Sequence, residues 1–155
     1  MAPRLRSAGI LAFRFRDKGL EVFLIHPGGP YWKGKETGAW SIPKGEYRGD
    51  ADPLAAARRE FAEETGAAID GEFHPLPSRK LRSGKVVDAW AIEADIDVSR
   101  VRSNTFAMEW PPGSGVEQEF PEVDRAAWFA VSVAMRMINA GQRGFLEDLQ
   151  HILAP

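Results

Sequence analysis

Residues 45–67 read GEYRGDADPLAAARREFAEETGA, from Gly45 to Ala67, and their reading decides the fold. Asp52 followed by Pro53 is a helix start: an N-cap acceptor, then proline at the first helical position. Gly66 is a natural stop. The alanine, arginine and glutamate between them favour helix, so the stretch predicts a helix over 53–65. Its last two turns carry Glu60, Glu63 and Glu64, which oppose the helix macrodipole. Glu60 also faces Glu63 and Glu64 at spacings of three and four, and each like-charged pair costs about 0.2–0.5 kcal/mol. At about 100° per residue the glutamates share one side, while Leu54, Ala57 and Phe61 share another. The expectation is a buried apolar stripe and a carboxylate cluster facing solvent. A divalent cation would relieve the repulsion, and hard oxygen donors suit magnesium or manganese. The plainer alternative is a solvated acidic face, the usual fate of a charge run. Local rules broken without local compensation are expected at functional sites.

The same stretch resembles the Nudix box. In family form the box reads G, five residues, E, seven residues, then R-E-U-x-E-E-x-G-U, with U apolar. Gly45, Arg59, Glu60, Phe61, Glu63, Glu64, Gly66 and Ala67 stand at matching positions, and Ala51 replaces the early glutamate. The resemblance implies an α/β fold, a Nudix-type α/β/α sandwich with a mixed β-sheet. It implies hydrolysis of a nucleoside diphosphate linked to another group. By position, Glu60, Glu63 and Glu64 look like metal ligands, with the backbone carbonyl of Gly45 as a further one. Mg2+ is the implied cofactor, with Mn2+ as a substitute. Arg59 resembles the arginine that holds the glutamates in place; a plain ion pair with Glu63 is the alternative. Glu64 is the first candidate for the base that accepts a proton from water, and equally a candidate for a pure ligand. The glutamate absent at 51 usually braces the box arginine. Asp50 or Asp52 could substitute, although Asp52 is expected to be engaged as N-cap. A pyrophosphate is heavily anionic and repels hydroxide; metal ions neutralise it, acidify bound water and hold the leaving phosphate.

Composition sets the outer bounds. The chain of 155 residues is expected to form one domain over 1–155, with 44% hydrophobic residues and room for a proper core. A net charge of −2 does not suggest a nucleic-acid binder. The absence of cysteine excludes disulfides, thiol nucleophiles and cysteine-bound zinc. No apolar stretch is long enough to span a membrane, and GILAF is too short for a signal-peptide core, so a cytoplasmic location is expected.

Outward from the box, 8–16 and 20–26 read as two strands joined at Asp17, Lys18 and Gly19. Residues 27–39 form a glycine-rich loop, and 40–44 lead into the box. One or two strands are expected near 68–82, a turn at Ser83-Gly84, and a strand over 86–94. Residues 111–115 read as a loop, 125–130 as a short strand, and 132–139 and 143–152 as helices split by Gly141 and Gly144. Strands flanking a central helix, followed by terminal helices, fit a mixed sheet between helical layers. The approach WSIPKG, from Trp40 to Gly45, resembles that of hydrolases acting on diadenosine tetraphosphate and related compounds.

Several candidates lie outside the box. Glu122 stands six residues before Trp128, a spacing that resembles dinucleoside tetraphosphate hydrolases. It is the best further ligand or alternative base, with Glu119 next; an acidic surface loop is the alternative. Arg79, Arg82 and Lys85 could contact phosphate oxygens, as could Lys44 beside the box glycine; for the first three, a charged strand edge is the alternative. Tyr31 and Trp32 sit between glycines and are the better candidates for base stacking, worth roughly 1–3 kcal/mol per base. Trp40 and Trp90 are expected in the core, and His26, His74 and His151 show no ligand spacing. The leading expectation is metal-dependent hydrolysis of a phosphoanhydride in a nucleoside or dinucleoside polyphosphate. The rivals are a diphosphoinositol phosphate or RNA 5′-end hydrolase, and a Nudix-fold nucleotide-binding regulator without catalysis. The expected partner is a small nucleotide or polyphosphate; a homodimer is compatible with the family.

Overall fold

A computed structural model describes residues 6–48 and 51–154. Strands β1 (Arg6–Arg16) and β2 (Gly19–Pro27) form the expected hairpin, paired from Phe13↔Val22 to Arg16↔Gly19. β3 (Lys44–Tyr47), helix α1 (Pro53–Thr65), β4 (His74–Lys80) and β5 (Val86–Glu93) follow. Then come β6 (Thr105–Glu109), β7 (Glu117–Pro121), β8 (Val123–Ala130), α2 (Val131–Met137) and α3 (Arg143–Leu153). The main sheet runs β4-β5-β1-β2-β8, with β3 also paired to β1. β1 and β5 are parallel and the other pairs antiparallel, so the sheet is mixed.

Alternation along the central strands builds two cores. Ala8, Ile10 and Ala12 of β1 and Phe23 and Ile25 of β2 join Ala56, Ala57 and Phe61 of α1. Leu11, Phe13, Val22 and Leu24 point the other way and meet Ala134 of α2 and Phe145, Leu146 and Leu149 of α3. A central sheet buried on both faces requires this two-sided apolar pattern. The outcome is the expected α/β/α layering.

One local departure makes the site. β1 pairs with β2 only from Phe13 onward; before that, the segment 40–47 fills the widening gap. Ser41 bridges Ile25 on one side. The Ile10 amide donates to the Pro43 carbonyl at 3.1 Å on the other. Gly9 permits this, since a Cβ there would stand 2.7 Å from the Pro43 carbonyl oxygen and 2.8 Å from Lys44 Cβ.

Several expectations shift. Residues 44–47, read only as the end of the approach and the start of the box, form β3, because β1 offers them a free edge. Within 68–82 a single strand forms, and β4 carries Pro75 and Pro77, as an edge strand allows. The acidic segment after 116 forms β7, which pairs with β6 in a hairpin outside the main sheet. Gly144 does not break a helix: it lies inside α3, where a Cβ would stand 2.6 Å from Arg79 Cζ. The break falls instead at 138–142. Among the described residues, no helix is long and apolar enough to cross a membrane.

Phe61 is fully buried between α1 and Phe23, with ring centroids 5.9 Å apart. Phe61→Ala should lower the stability of the fold by about 3–5 kcal/mol, read from chemical denaturation.

Candidate functional site

Asp52 caps α1, accepting from the Ala55 amide at 3.3 Å, and Gly66 ends it at φ 75°. Asp52 is therefore engaged as N-cap, while Asp50 lies outside the described residues. The end of α1, where carboxylates oppose the dipole, receives donors from elsewhere. The Arg102 amide donates to the Thr65 carbonyl at 2.8 Å, and the Asn104 amide to the Glu63 carbonyl at 2.9 Å.

The glutamates do not simply face solvent. β3 lies across them, and alternation turns Gly45 toward α1, as its partner Ala8 is turned. A Cβ on Gly45 would overlap the Glu60 carboxylate. Glu60 is only 16% exposed, whereas Glu63 is 41% exposed. Glu64 accepts the Lys44 amide at 2.9 Å. Burial, more than the opposing Lys44 hydrogen bond, pushes the Glu64 carboxyl up to about 8, and Glu60 and Glu122 add to the rise. Burial also raises Glu60, with Glu63 adding repulsion. The Arg59 guanidinium stands 3.3 Å from Glu60 and 3.8 Å from Glu63. It touches both carboxylates rather than Glu63 alone. Among the described residues, Arg59 has no other ion-pair partner.

A cleft of about 230 Å³ opens beside this cluster, lined by Lys44, Glu64 and Glu122 together with Trp32, Ser41 and Gln142. Lys44 is lowered from the usual lysine range by burial and by Lys85; Glu64 and Glu46 work the other way. An anion in the cleft would favour its charged form. The donors that could hold a divalent ion are the carboxylates of Glu60, Glu63, Glu64 and Glu122 and the Gly45 carbonyl. The fit is one of chemistry rather than of finished coordination. These are hard oxygens crowded against one another, two of them with raised pKa, and a cation would relieve that. Among the described residues, no three acidic or histidine side chains stand disposed to hold an ion.

The family pattern described as NUDIX domain matches residues 3–149. The chain belongs to the Nudix family. Solved structures share its fold at low identity. The NUDIX domain of Shewanella oneidensis NrtR complexed with ADP ribose is 15% identical, with a TM-score of 0.67, covering 99% of this chain and 91% of that one. A C. elegans Ap4A hydrolase is 18% identical, with a TM-score of 0.65, covering 96% and 97%. A MutT protein from Methanosarcina mazei Go1 is 20% identical, with a TM-score of 0.61, covering 99% and 97%. Among curated proteins, nothing matches.

Glu64 of the Nudix box and Glu122, far apart in sequence, thus line one cleft. The basic residues divide. Arg79 forms a bidentate pair with Asp148 of α3 at 2.7 Å, so its charge holds the helical layer and the expected phosphate contact is withdrawn for it. Lys85 lies 2.5 Å from Glu46 and acts electrostatically on Lys44. Arg82 is exposed in the turn after Leu81, itself a cleft residue. Tyr31 is exposed beside Trp32. Glu119 is exposed on β7. Trp40 is buried and Trp90 half-buried, both packed with the core clusters. His26 is buried, joining Asp124 at 2.7 Å and the Lys35 carbonyl at 2.6 Å, which ties down the 27–39 loop.

Sequence reasoning did not find Gly9, Asn104 or Gln142. Gln142 accepts the Ile42 amide at 3.0 Å and so fixes the segment that leads into the box. None of these residues carries charge or periodicity, and each acts through a backbone contact distant in sequence. A larger depression of about 520 Å³ lies past the end of α1, lined by Asp70, Asp95 and Asp97. Asp95 is engaged by Arg14 and Arg16, and Asp97 by Ser99, so the cleft at Glu64 holds the unspent chemistry.

Gly45→Ala drives a methyl group into Glu60. Overpacking of this kind costs about 1–3 kcal/mol, and a corresponding drop in melting temperature is expected.

Proposed function

We propose that this Nudix chain is a hydrolase that cleaves a phosphoanhydride in a nucleoside or dinucleoside polyphosphate with Mg2+, or Mn2+ in its place. The observation that carries the reading is the convergence of Glu64, Glu122 and Lys44 on one cleft beside Glu60. In this reading Glu60, Glu63 and Glu64 hold the metal with the Gly45 carbonyl. The bound metal supplies charge neutralisation of the pyrophosphate and a more acidic water. Glu64 or Glu122 accepts the proton as water attacks phosphorus and the bridging P–O bond breaks. The cleaved oxygen leaves as phosphate. Lys44 faces a phosphoryl oxygen of the substrate, and the phosphate favours its charged form against the opposing effect of burial. Arg59 spans Glu60 and Glu63 and keeps their carboxylates from swinging apart. Trp32, at the cleft, offers a stacking surface, while Lys85 and Arg82 supply positive potential at its edge.

The resemblance in fold to an Ap4A hydrolase and to a NUDIX domain complexed with ADP ribose supports a nucleotide ligand. A second reading, binding without hydrolysis, has one observation in its favour. Ala51 offers no carboxylate, and Arg59 is 54% exposed, so its hold on the glutamates is looser than a brace would give. In either reading one domain contains the site, and a cytoplasmic location suits the substrate class.

A panel of nucleoside triphosphates, ADP-ribose, dinucleoside polyphosphates and diphosphoinositol phosphates, incubated with Mg2+ or Mn2+, separates these readings. Cleavage of a nucleotide member is expected, and chelation of the metal should abolish it. No cleavage of any member would leave only the binding reading. Glu64→Gln should lower turnover by about 10²-fold or more; full activity would remove Glu64 from the mechanism. For Glu122→Gln, a loss of similar size, about 10²-fold, is expected if it is the base. Unchanged turnover with an unchanged melting curve would reduce Glu122 to a surface acid.

A further inference from the structure

The hairpin of β6 and β7 pairs with no strand of the main sheet and contributes nothing buried to either core cluster. A two-stranded hairpin is marginal alone, so this one must be held by its surroundings. Its root is tied by consecutive backbone bonds. The Asn104 amide donates to Glu63, the Glu122 amide to Asn104, and the Gly28 amide to Glu122, each at 2.9 Å. Ser103 Oγ accepts the Val123 amide at 3.0 Å.

Its side lies against the 27–39 loop. The Phe106 ring covers Gly29 so closely that a Cβ there would stand 2.9 Å from its tip carbon. Farther out, Trp110 meets Tyr31 edge to face, with centroids 5.2 Å apart. Tyr31 remains 57% exposed, and its neighbour Trp32, 39% exposed, lines the cleft with Lys44, Glu64 and Glu122. The Tyr31–Trp110 pair thus stands one residue along the loop from a ring that lines the cleft. Charge is segregated along the same line. From Ser103 to Asp124 the chain carries five acidic residues and no basic one, whereas the facing loop carries Lys33 and Lys35, its one acidic residue, Glu36, being paired with Arg125. Phosphates are drawn toward Lys44 and repelled by the hairpin, while an uncharged flat ring meets no such barrier.

We propose that Trp110 is a specificity-determining residue: with Tyr31 it forms a rigid wall for the nucleobase of the substrate, selecting pyrophosphates that carry a base over those that do not. The catalytic part of this inference rests on the hydrolase reading above; the binding part does not. Edge-to-face contact fixes both rings at little further entropic cost, as a recognition surface requires.

The test compares wild type with Trp110→Leu, Trp110→Phe and Tyr31→Ala. Hydrolysis of the nucleotide that the panel above shows to be cleaved best is set against that of base-free 5-phosphoribosyl pyrophosphate, and AMP binding without metal is measured by calorimetry. Trp110→Leu should lower the ratio of kcat/KM between the two substrates by about tenfold, through KM, and raise the Kd for AMP by a similar factor. Trp110→Phe should retain most of both. An unchanged ratio, an equal loss on both substrates, or no AMP binding by wild type would overturn the proposal. A lowered melting temperature in Trp110→Leu shifts the decision to Tyr31→Ala, which must reproduce the change in ratio. A protein that hydrolyses nothing yet binds AMP through Trp110 would refute the hydrolase reading and retain this one.

Discussion

Segment 40–47 is wedged beside β1, first against β2 and then, as β3, under α1, and two glycines make room for it. Gly9 lets the chain reach β1, and Gly45 admits the carboxylate of Glu60. From that position the Lys44 amide holds Glu64, and the Lys44 side chain enters the cleft. The electrostatics follow from this packing. Glu64 has a raised pKa because it is buried where the Lys44 amide of β3 meets it, and Glu60 because it is buried against the same strand with Glu63 beside it. A helix with the same three glutamates but no strand across it would keep them near ordinary carboxylate values, with repulsion of only tenths of a kcal/mol.

The interior division of charge extends this logic. Glu64 and Glu122 line the cleft, and so does Lys44, a lysine largely stripped of water. Each is destabilised without a ligand, and in opposite senses. A pyrophosphate accompanied by a divalent cation complements both at once. Such pre-set mismatch is what a binding site for an ion pair requires, because the protein need not reorganise when it arrives.

The box helix was legible in the sequence because its signals are local. Asp52, Pro53 and Gly66 each act within one turn, and the apolar stripe through Ala57 and Phe61 is periodic. β1 and β2 were legible for the same reason. The burial of Glu64 was not, because it depends on β3, whose four residues acquire strand geometry only from pairing with β1. The β6–β7 hairpin was also hidden. Its sequence is acidic and proline-rich, and it is held by the Asn104 amide donating to Glu63 and by the Gly28 amide donating to Glu122, partners far away in the chain. Arg79 shows the opposite error. A basic cluster reads as a phosphate site until the structure reveals Asp148 opposite one of its members.

The backbone bonds that tie Asn104 to the end of α1 and Glu122 to Asn104 also bear on how this chain tolerates change in length. Residues added or removed at the 111–115 tip leave Asn104 and Glu122 where they are, because the pairing of β6 with β7 runs between the tip and the root. A single residue inserted between 102 and 104, or beside 122, would uncap a carbonyl at the end of α1 or carry Glu122 out of the cleft. Variation among related chains is therefore expected to collect at the tip, and grafted loops belong there.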